Sequence, residues 1–439
     1  MRNALALLII VVAISACQST EPLNPLKSTL TTRQVAVVAA TPVPTQADAD
    51  AISANIRALH MPYGTLADPG FASSDPSSAG YTTVTTYNRM GDGAIWTGHY
   101  LAAESFRYAV TQSADALDAV RRALNGVQSL VDVTTQTDRN VLARSWVPAS
   151  SPYLAKITAD EGHNGMYATT YNGQRVYWIG NTSRDQYAGV FFGLAVVYDF
   201  VPDANLRAQA SALVTRLLTN LITHGWSVQM PNGSFSTTFN GRPDEQLTFL
   251  QIGRHLNPLK HEAVYTAFAA AHAPLVSVPI RAECSDTYGG YFKFNLDYIG
   301  MFDLVRLEPA ASLYRPFYAN AYGVLRRCTA THQNAHFNMI DRALRGANAL
   351  RDSDTPNFLG LWLERSRRDY FTHVSNKYQV CGTNKACGIV AVNDRPNTDF
   401  LWQRSPQLLY GGDQGLVETA GIDYLLPYWM ARYYGVIPR

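Results

Sequence analysis

Charge is scarce in this chain. Only 16% of its 439 residues are charged, the net charge is +2, and Lys and Arg form no run. That excludes a polyanion-binding face, and nucleic acid with it. Cofactor motifs are missing as well. Gly289-Gly290 and Gly411-Gly412-Asp413 lack the strand and the Lys that make a phosphate loop, so no nucleotide or other cofactor is implied. There is no GxSxG serine elbow. There is no HExxH either: His332 and His336 stand four apart without an obvious third ligand, so no metal is expected. Strand and helix patterns do not alternate along the chain, which argues against a parallel sheet.

Apolar and aromatic residues are plentiful instead. The chain is 47% hydrophobic and carries 25 Tyr, enough for one large domain or two ordinary ones and too apolar for disorder. Aromatics scattered through helices suit a thick core or a sugar-lined groove.

The N-terminus has its own character. Met1-Arg2-Asn3 gives a short positive start, Ala4 to Ile14 is apolar, and Ile14-Ser15-Ala16-Cys17 follows. The apolar run is short for a membrane span. These parts resemble a bacterial lipoprotein signal with its lipobox. The resemblance implies cleavage before Cys17, lipidation of Cys17, and a cell-envelope location on the outer membrane, because Gln18 stands where inner-membrane retention uses aspartate. Residues 1–16 thus read as signal peptide. Residues 17–45, rich in Ser, Thr, Pro and Ala, read as a flexible tether, and 46–439 as the folded domain. Outside the cytoplasm disulfides are permitted. Cys381 and Cys387 flank a Gly-containing loop as a local bridge would, leaving Cys284 to pair with Cys328.

Within the domain, Ser183-Arg184-Asp185-Gln186-Tyr187 heads a helix, Ala188 to Tyr198, that is apolar almost all round. Such a helix belongs inside a protein. The pattern of an acid, then a buried helix, then a turn and an amphipathic helix recurs. Asp92 precedes a helix through Tyr108, paired with Ala114 to Val131; Asp185's helix is paired with Ala204 to His224. Pro243-Asp244-Glu245 opens a third hairpin that turns at Asn257-Pro258. A fourth starts near Tyr291 and Asp297 and turns at Glu308-Pro309. A fifth runs from Ala335 through Tyr370 with a loop at Arg351 to Pro356. The sixth pairs a final helix, Gly415 to Tyr434, with Ala47 to Leu59. Residues 62–88 and 372–410 read as irregular. Residues 133–181 form a long excursion with a hairpin turn at Asn172-Gly173.

Alternating buried and amphipathic helices suggest a double ring. Here the chain resembles the six-hairpin (α/α)6-toroid glycosidase-like enzymes over about residues 45–439. The resemblance implies an all-α fold with small β-hairpin insertions. Asp185-Gln186-Tyr187-Ala188-Gly189 looks like the catalytic-aspartate helix start of unsaturated glycuronyl hydrolases, from which the 133–181 insertion departs.

Glycoside hydrolysis needs two carboxyl groups across one bond. Acids at one end of different buried helices can supply them. Asp185 and Asp92 are the first candidates for acid and base, with Arg184 and Tyr187 placed to tune Asp185. Glu161, on the excursion, and the Asp244-Glu245 pair, whose repulsion would raise one pKa, stand in reserve. Trp96, Tyr100, Tyr177, Trp178, Tyr187 and Trp402 are candidate sugar platforms, Trp178 because it lies in a polar excursion just ahead of Asp185. The expected partner is thus a carbohydrate substrate, and the expected activity glycoside hydrolysis. A competing chemistry is β-elimination or epimerisation: Asn334 and His336 resemble the Asn and His with which toroidal polysaccharide lyases neutralise a uronate carboxylate, and Tyr288 or Tyr291 would then be the base. A third possibility is a non-catalytic glycan-binding or envelope-structural lipoprotein.

Overall fold

The computed structural model describes residues 40–135, 140–397 and 399–438. The expected signal peptide, Cys17 and most of the expected tether lie outside the described residues. The described chain is mainly helical, with small antiparallel sheets. Its helices are α1 (Gln46–Asn55), α2 (Gly93–Thr111), α3 (Ala114–Asp132), α4 (Leu154–Glu161), α5 (Arg184–Phe200), α6 (Ala204–Thr223) and α7 (Pro243–Leu256). They continue with α8 (Pro258–His272), α9 (Ser277–Glu283), α10 (Phe292–Arg306), α11 (Arg315–Thr329), α12 (Ala335–Arg345), α13 (Ala349–Leu363) and α14 (Ile422–Tyr433).

Burial divides these helices into two kinds. In α2 every residue from Gly93 to Arg107 is buried, and in α5 every residue from Gln186 to Val197. In α3 burial follows the helical period, and its Asp and Arg residues face solvent. The turns between partners are set by caps. Ser113 accepts from the Ala116 amide at the head of α3. Asp203 accepts from Asn205 and Leu206 at the head of α6. Pro258 starts α8 directly after α7 ends, where its missing N–H costs nothing.

Each fully buried helix packs on its own partner and on other buried helices. Thus α2 meets α3, α5 and α14; α5 meets α6, α7 and α10; and α7 meets α8 and α10. In turn α10 meets α11 and α12, α12 meets α13 and α14, and α14 meets α1. The α2–α5 contact is unusually close because glycines face each other. A Cβ on Gly98 would strike the Gly189 carbonyl, one on Gly193 the Gly98 carbonyl, and one on Gly189 the backbone of Ile95.

Among the described residues four small sheets sit between the helices, and every pairing is antiparallel. Strands β1 (Asp68–Phe71) and β2 (Val84–Asn88) lie in what reads as an irregular stretch. Strands β3 (Ser145–Pro148), β4 (Met166–Tyr171) and β5 (Gln174–Ile179) form a sheet ordered β3-β5-β4 from the long excursion. The Asn172-Gly173 turn joins β4 to β5 with φ of 48° and 76°. Strands β6 (Ser227–Gln229) and β7 (Phe235–Thr238) make one hairpin. Strand β8 (Arg368–His373) precedes a second hairpin of β9 (Val380–Gly382) and β10 (Lys385–Ala386), and β11 (Tyr410–Glu418) follows.

Three expectations need correction. The β-structure is more than local hairpins, because one sheet is ordered β2-β1-β11-β8 and joins strands remote in sequence. Gly415 lies in β11, so the final helix starts only at Ile422, after Gly421 has turned the chain at φ 75°. The fifth hairpin turns at Gly346 to Asn348, and Arg351 to Pro356 lies inside α13. There Arg351 ties the helix start to Asp341 (2.5 Å) and Asp352 (2.8 Å), and the helix runs on through Pro356 to Leu363. Disulfides join Cys284 to Cys328 and Cys381 to Cys387.

Candidate active site

Asp92 and Asp185 stand at the heads of α2 and α5, and the close glycine contact between these helices brings them together. Both line one cleft of about 220 Å³, with Ile95, Trp96, Phe292, Asn295, Leu296, Gln403 and Arg404. The side-chain amide of Gln186 lies between them. Its nitrogen donates to Asp92 Oδ1 (3.1 Å) and to Asp185 Oδ2 (3.3 Å), so the two carboxyl groups lie within two hydrogen-bond lengths of each other. The amide oxygen accepts from the Ile95 backbone N–H (3.0 Å), which fixes its orientation. Asp185 Oδ1 is buried without a hydrogen-bond partner among the described residues.

Two further side chains hold the acids in place. Arg144 donates to the Gly91 carbonyl (2.6 Å), beside Asp92, and to Ser183 Oγ (2.8 Å), the residue before α5. Its guanidinium also stands 3.7 Å from Asp92 Oδ1. Arg144 therefore straps the two acid-bearing helix starts together. Glu161 is buried, with Oε1 accepting from the Gly91 N–H (2.7 Å) and Oε2 from Asn164 (2.9 Å). It anchors the backbone that carries Asp92 and does not line the cleft.

The electrostatics separate Asp92 from an ordinary surface acid. Burial pushes its carboxyl up to about 6; the negative charge of Asp185 adds to this and Arg144 opposes it. The side chain remains 36% open, so a reacting group can reach it. Behind the cleft, Asn295 donates to His99 Nε2 (3.1 Å), and His99 Nδ1 donates to the Ile95 carbonyl (2.9 Å), the assignment that satisfies both nitrogens. That makes His99 neutral, and burial lowers its pKa to about 4. Trp96 meets His99 edge-on at 5.2 Å and Phe400 at 4.9 Å.

The other acids form a separate cluster. Arg242 faces Asp244 (2.7 Å), Glu283 (2.6 Å), Glu245 (3.2 Å) and Asp297 (3.7 Å), while Arg184 pairs with Glu245 (3.2 Å). Burial pushes Glu245 up to about 7, with Arg242 opposing and Asp244 adding. Burial and Glu283 together push Asp297 well up. Asp244, Glu245 and Asp297 line a small void that the Asp92–Asp185 cleft does not include.

Several expected site residues have other places. Arg184 is engaged by Glu245, and the Tyr187 hydroxyl accepts from the Leu142 N–H (3.2 Å), so neither shows the expected contact with Asp185. Tyr100, Trp178 and Trp402 have 0% exposure. Trp178 points inward from β5 and stacks on Tyr167 at 4.6 Å, and its neighbour Tyr177 takes the other face, as strand alternation requires. Trp96 alone of the expected platforms lines the cleft. Tyr291 is buried, its hydroxyl 3.1 Å from His332 Nδ1, and burial raises its pKa, which disfavours a base. The Tyr288 hydroxyl donates to the Asn384 carbonyl (2.8 Å). Asn334 caps α12 by accepting from the His336 and Phe337 amides, and His336 is buried against Trp402 at 4.9 Å. The sequence reading did not identify Gln186, Arg144, Asn295, Gln403 or Arg404. Only Gln186 carried a signal, as the residue next to Asp185.

No family model, no curated protein and no solved structure matches this chain.

Proposed function

We propose that this chain is a carbohydrate-active enzyme that hydrolyses a glycosidic bond between Asp92 and Asp185. The observation that carries the reading is the pair itself: two carboxyl groups from neighbouring buried helices, bridged by one amide, in a cleft walled by Trp96 and Phe292. Asp92, raised to about 6, serves as proton donor. Its proton passes to the glycosidic oxygen as the C–O bond breaks. Asp185 faces the positive charge that develops on the sugar: as nucleophile it bonds the anomeric carbon in an ester that water then cleaves, or as base it takes a proton from the water that attacks that carbon. The fold belongs to the same proposal. The contacts α14–α2–α5–α7–α10–α12–α14 support a closed inner ring of an (α/α)6 toroid, with α1, α3, α6, α8, α11 and α13 outside it.

The test is a screen of the soluble domain on envelope and plant polysaccharides, with Asp185→Asn beside the parent. Loss of general-base or nucleophile chemistry should lower turnover by about 10²–10⁴-fold with glycan binding kept. Unchanged hydrolysis by Asp185→Asn rejects the assignment.

We also propose that Cys17 carries a lipid anchor. In cells given a labelled fatty acid, the parent should take up label and sediment with membranes, and Cys17→Ser should do neither. Equal labelling of the variant excludes it.

A further inference from the structure

A second cleft, of about 470 Å³, lies between α3 and the β3-β5-β4 sheet. Its size falls in the range of small-molecule sites, roughly 300–1,000 Å³. Its lining residues are separate from those of the Asp92–Asp185 cleft. Three half-buried rings stand in its wall: Tyr63, Trp146 and Tyr171. Trp146 meets Tyr171 edge-on at 5.4 Å and lies tilted by 43° against Tyr63 at 6.0 Å. The polar edges of two rings are tied down, because Trp146 Nε1 donates to Ser129 Oγ (2.9 Å) and the Tyr63 hydroxyl pairs with Ser151 (2.6 Å). What these rings offer a ligand is therefore carbon surface. Beside them Asn125, Asn172 and Gln174 present exposed amides, the Asn125 oxygen already accepting from Gln209 (3.1 Å) and leaving its N–H groups for a ligand.

The charge of the cleft narrows the ligand. Arg57 and Arg122 line it, but each already has a carboxylate: Asp115 at 2.6 Å for Arg57 and Asp118 at 2.7 Å for Arg122. An anionic ligand would have to compete with those pairs. Aromatic carbon beside amide groups, with the cations neutralised, fits a neutral molecule that has an apolar face and a hydroxyl edge.

From this we infer a second saccharide-binding site in the cleft of Trp146 and Tyr171, which takes a neutral glycan and leaves it chemically unchanged. The sugar class rests on the carbohydrate reading of the acid cleft. The two sites are close along the chain, since Arg144, just before β3, straps the acid-bearing helix starts two residues ahead of Trp146 in the cleft. A polymer held here would stay with the enzyme while the acid cleft turns over.

The test uses calorimetric titration with xylohexaose, cellohexaose, mannohexaose and N-acetylchitohexaose. It compares the parent, the acid-pair variant Asp92→Asn/Asp185→Asn, Trp146→Ala and Asn125→Ala/Gln174→Ala. At least one neutral hexasaccharide should bind the parent and the acid-pair variant alike. Trp146→Ala should weaken that binding tenfold or more. The exposed amide pair should weaken it without loss of circular-dichroism signal, which covers the case of a misfolded Trp146→Ala. If none of the hexasaccharides binds, or both cleft variants bind like the parent, the inference is overturned. Binding that needs Trp146 in a protein that hydrolyses nothing keeps this site and rejects the hydrolase. Hydrolysis that needs Asp185 with binding indifferent to Trp146 and to the amide pair does the reverse.

Discussion

A carboxyl group raised to about 6 has consequences in two directions. As proton donor, Asp92 is competent only while protonated, so kcat/KM for a glycan substrate should fall as pH rises through about 6. Its effect on stability has the same sign. A folded-state pKa above the unfolded value of 3.8 means that the folded chain binds more protons between about 3.8 and 6. Asp92's contribution to stability therefore declines as pH rises through that window. Gln186 should tune the limb, because its N–H favours the charged carboxylate. In Gln186→Met the limb should move to higher pH and kcat should drop, as read from a pH–rate profile. A limb that stays in place would show that the amide does not govern Asp92. Both acids were legible in sequence because a charge at the mouth of an all-apolar helix is a local signal. Arg144 and Asn295 were not, since each matters only through partners that folding brings near. Tyr100 and Trp178 misled because composition marks an aromatic without telling which face of its helix or strand is inward.

At the scale of elements, the site depends on how closely α2 and α5 approach. Gly98, Gly189 and Gly193 let the two backbones touch. Gly189→Ala should destabilise the fold by about 1–3 kcal/mol, the usual cost of overpacking. It should also lower activity more than Gly173→Ala, an exposed turn position with open space around it but a positive φ. Chemical denaturation and turnover measured on the same preparations check this, and equal activities would mean that the helix spacing does not set the acid geometry. The helices were readable because burial and amphipathic periodicity extend over many residues. The strands β1, β8 and β11 were not, because their pairing is tertiary and a four-residue segment such as Asp68–Phe71 has no period of its own.

For the whole molecule, the disulfides contribute unequally. Closing the 44-residue separation between Cys284 and Cys328 should add about 4 kcal/mol by chain entropy, against about 2 kcal/mol for the six-residue separation of Cys381 and Cys387. The double variant Cys284→Ser/Cys328→Ser should therefore lose more in Tm than Cys381→Ser/Cys387→Ser. Equal losses in a calorimetric scan would show that the loop-entropy account fails here.

The β2-β1-β11-β8 sheet has a temporal meaning as well as a spatial one. On the ribosome, the residues of β1 emerge long before those of β11, with which they pair at Gly70 and Val417. Until then β1 has only β2 beside it, and its other edge waits with open backbone groups. A nascent chain stopped short of Tyr410 already has Asp92, Asp185 and the helices that carry them, but it lacks this seam. Nearly the whole chain thus has to be available before β1 finds β11.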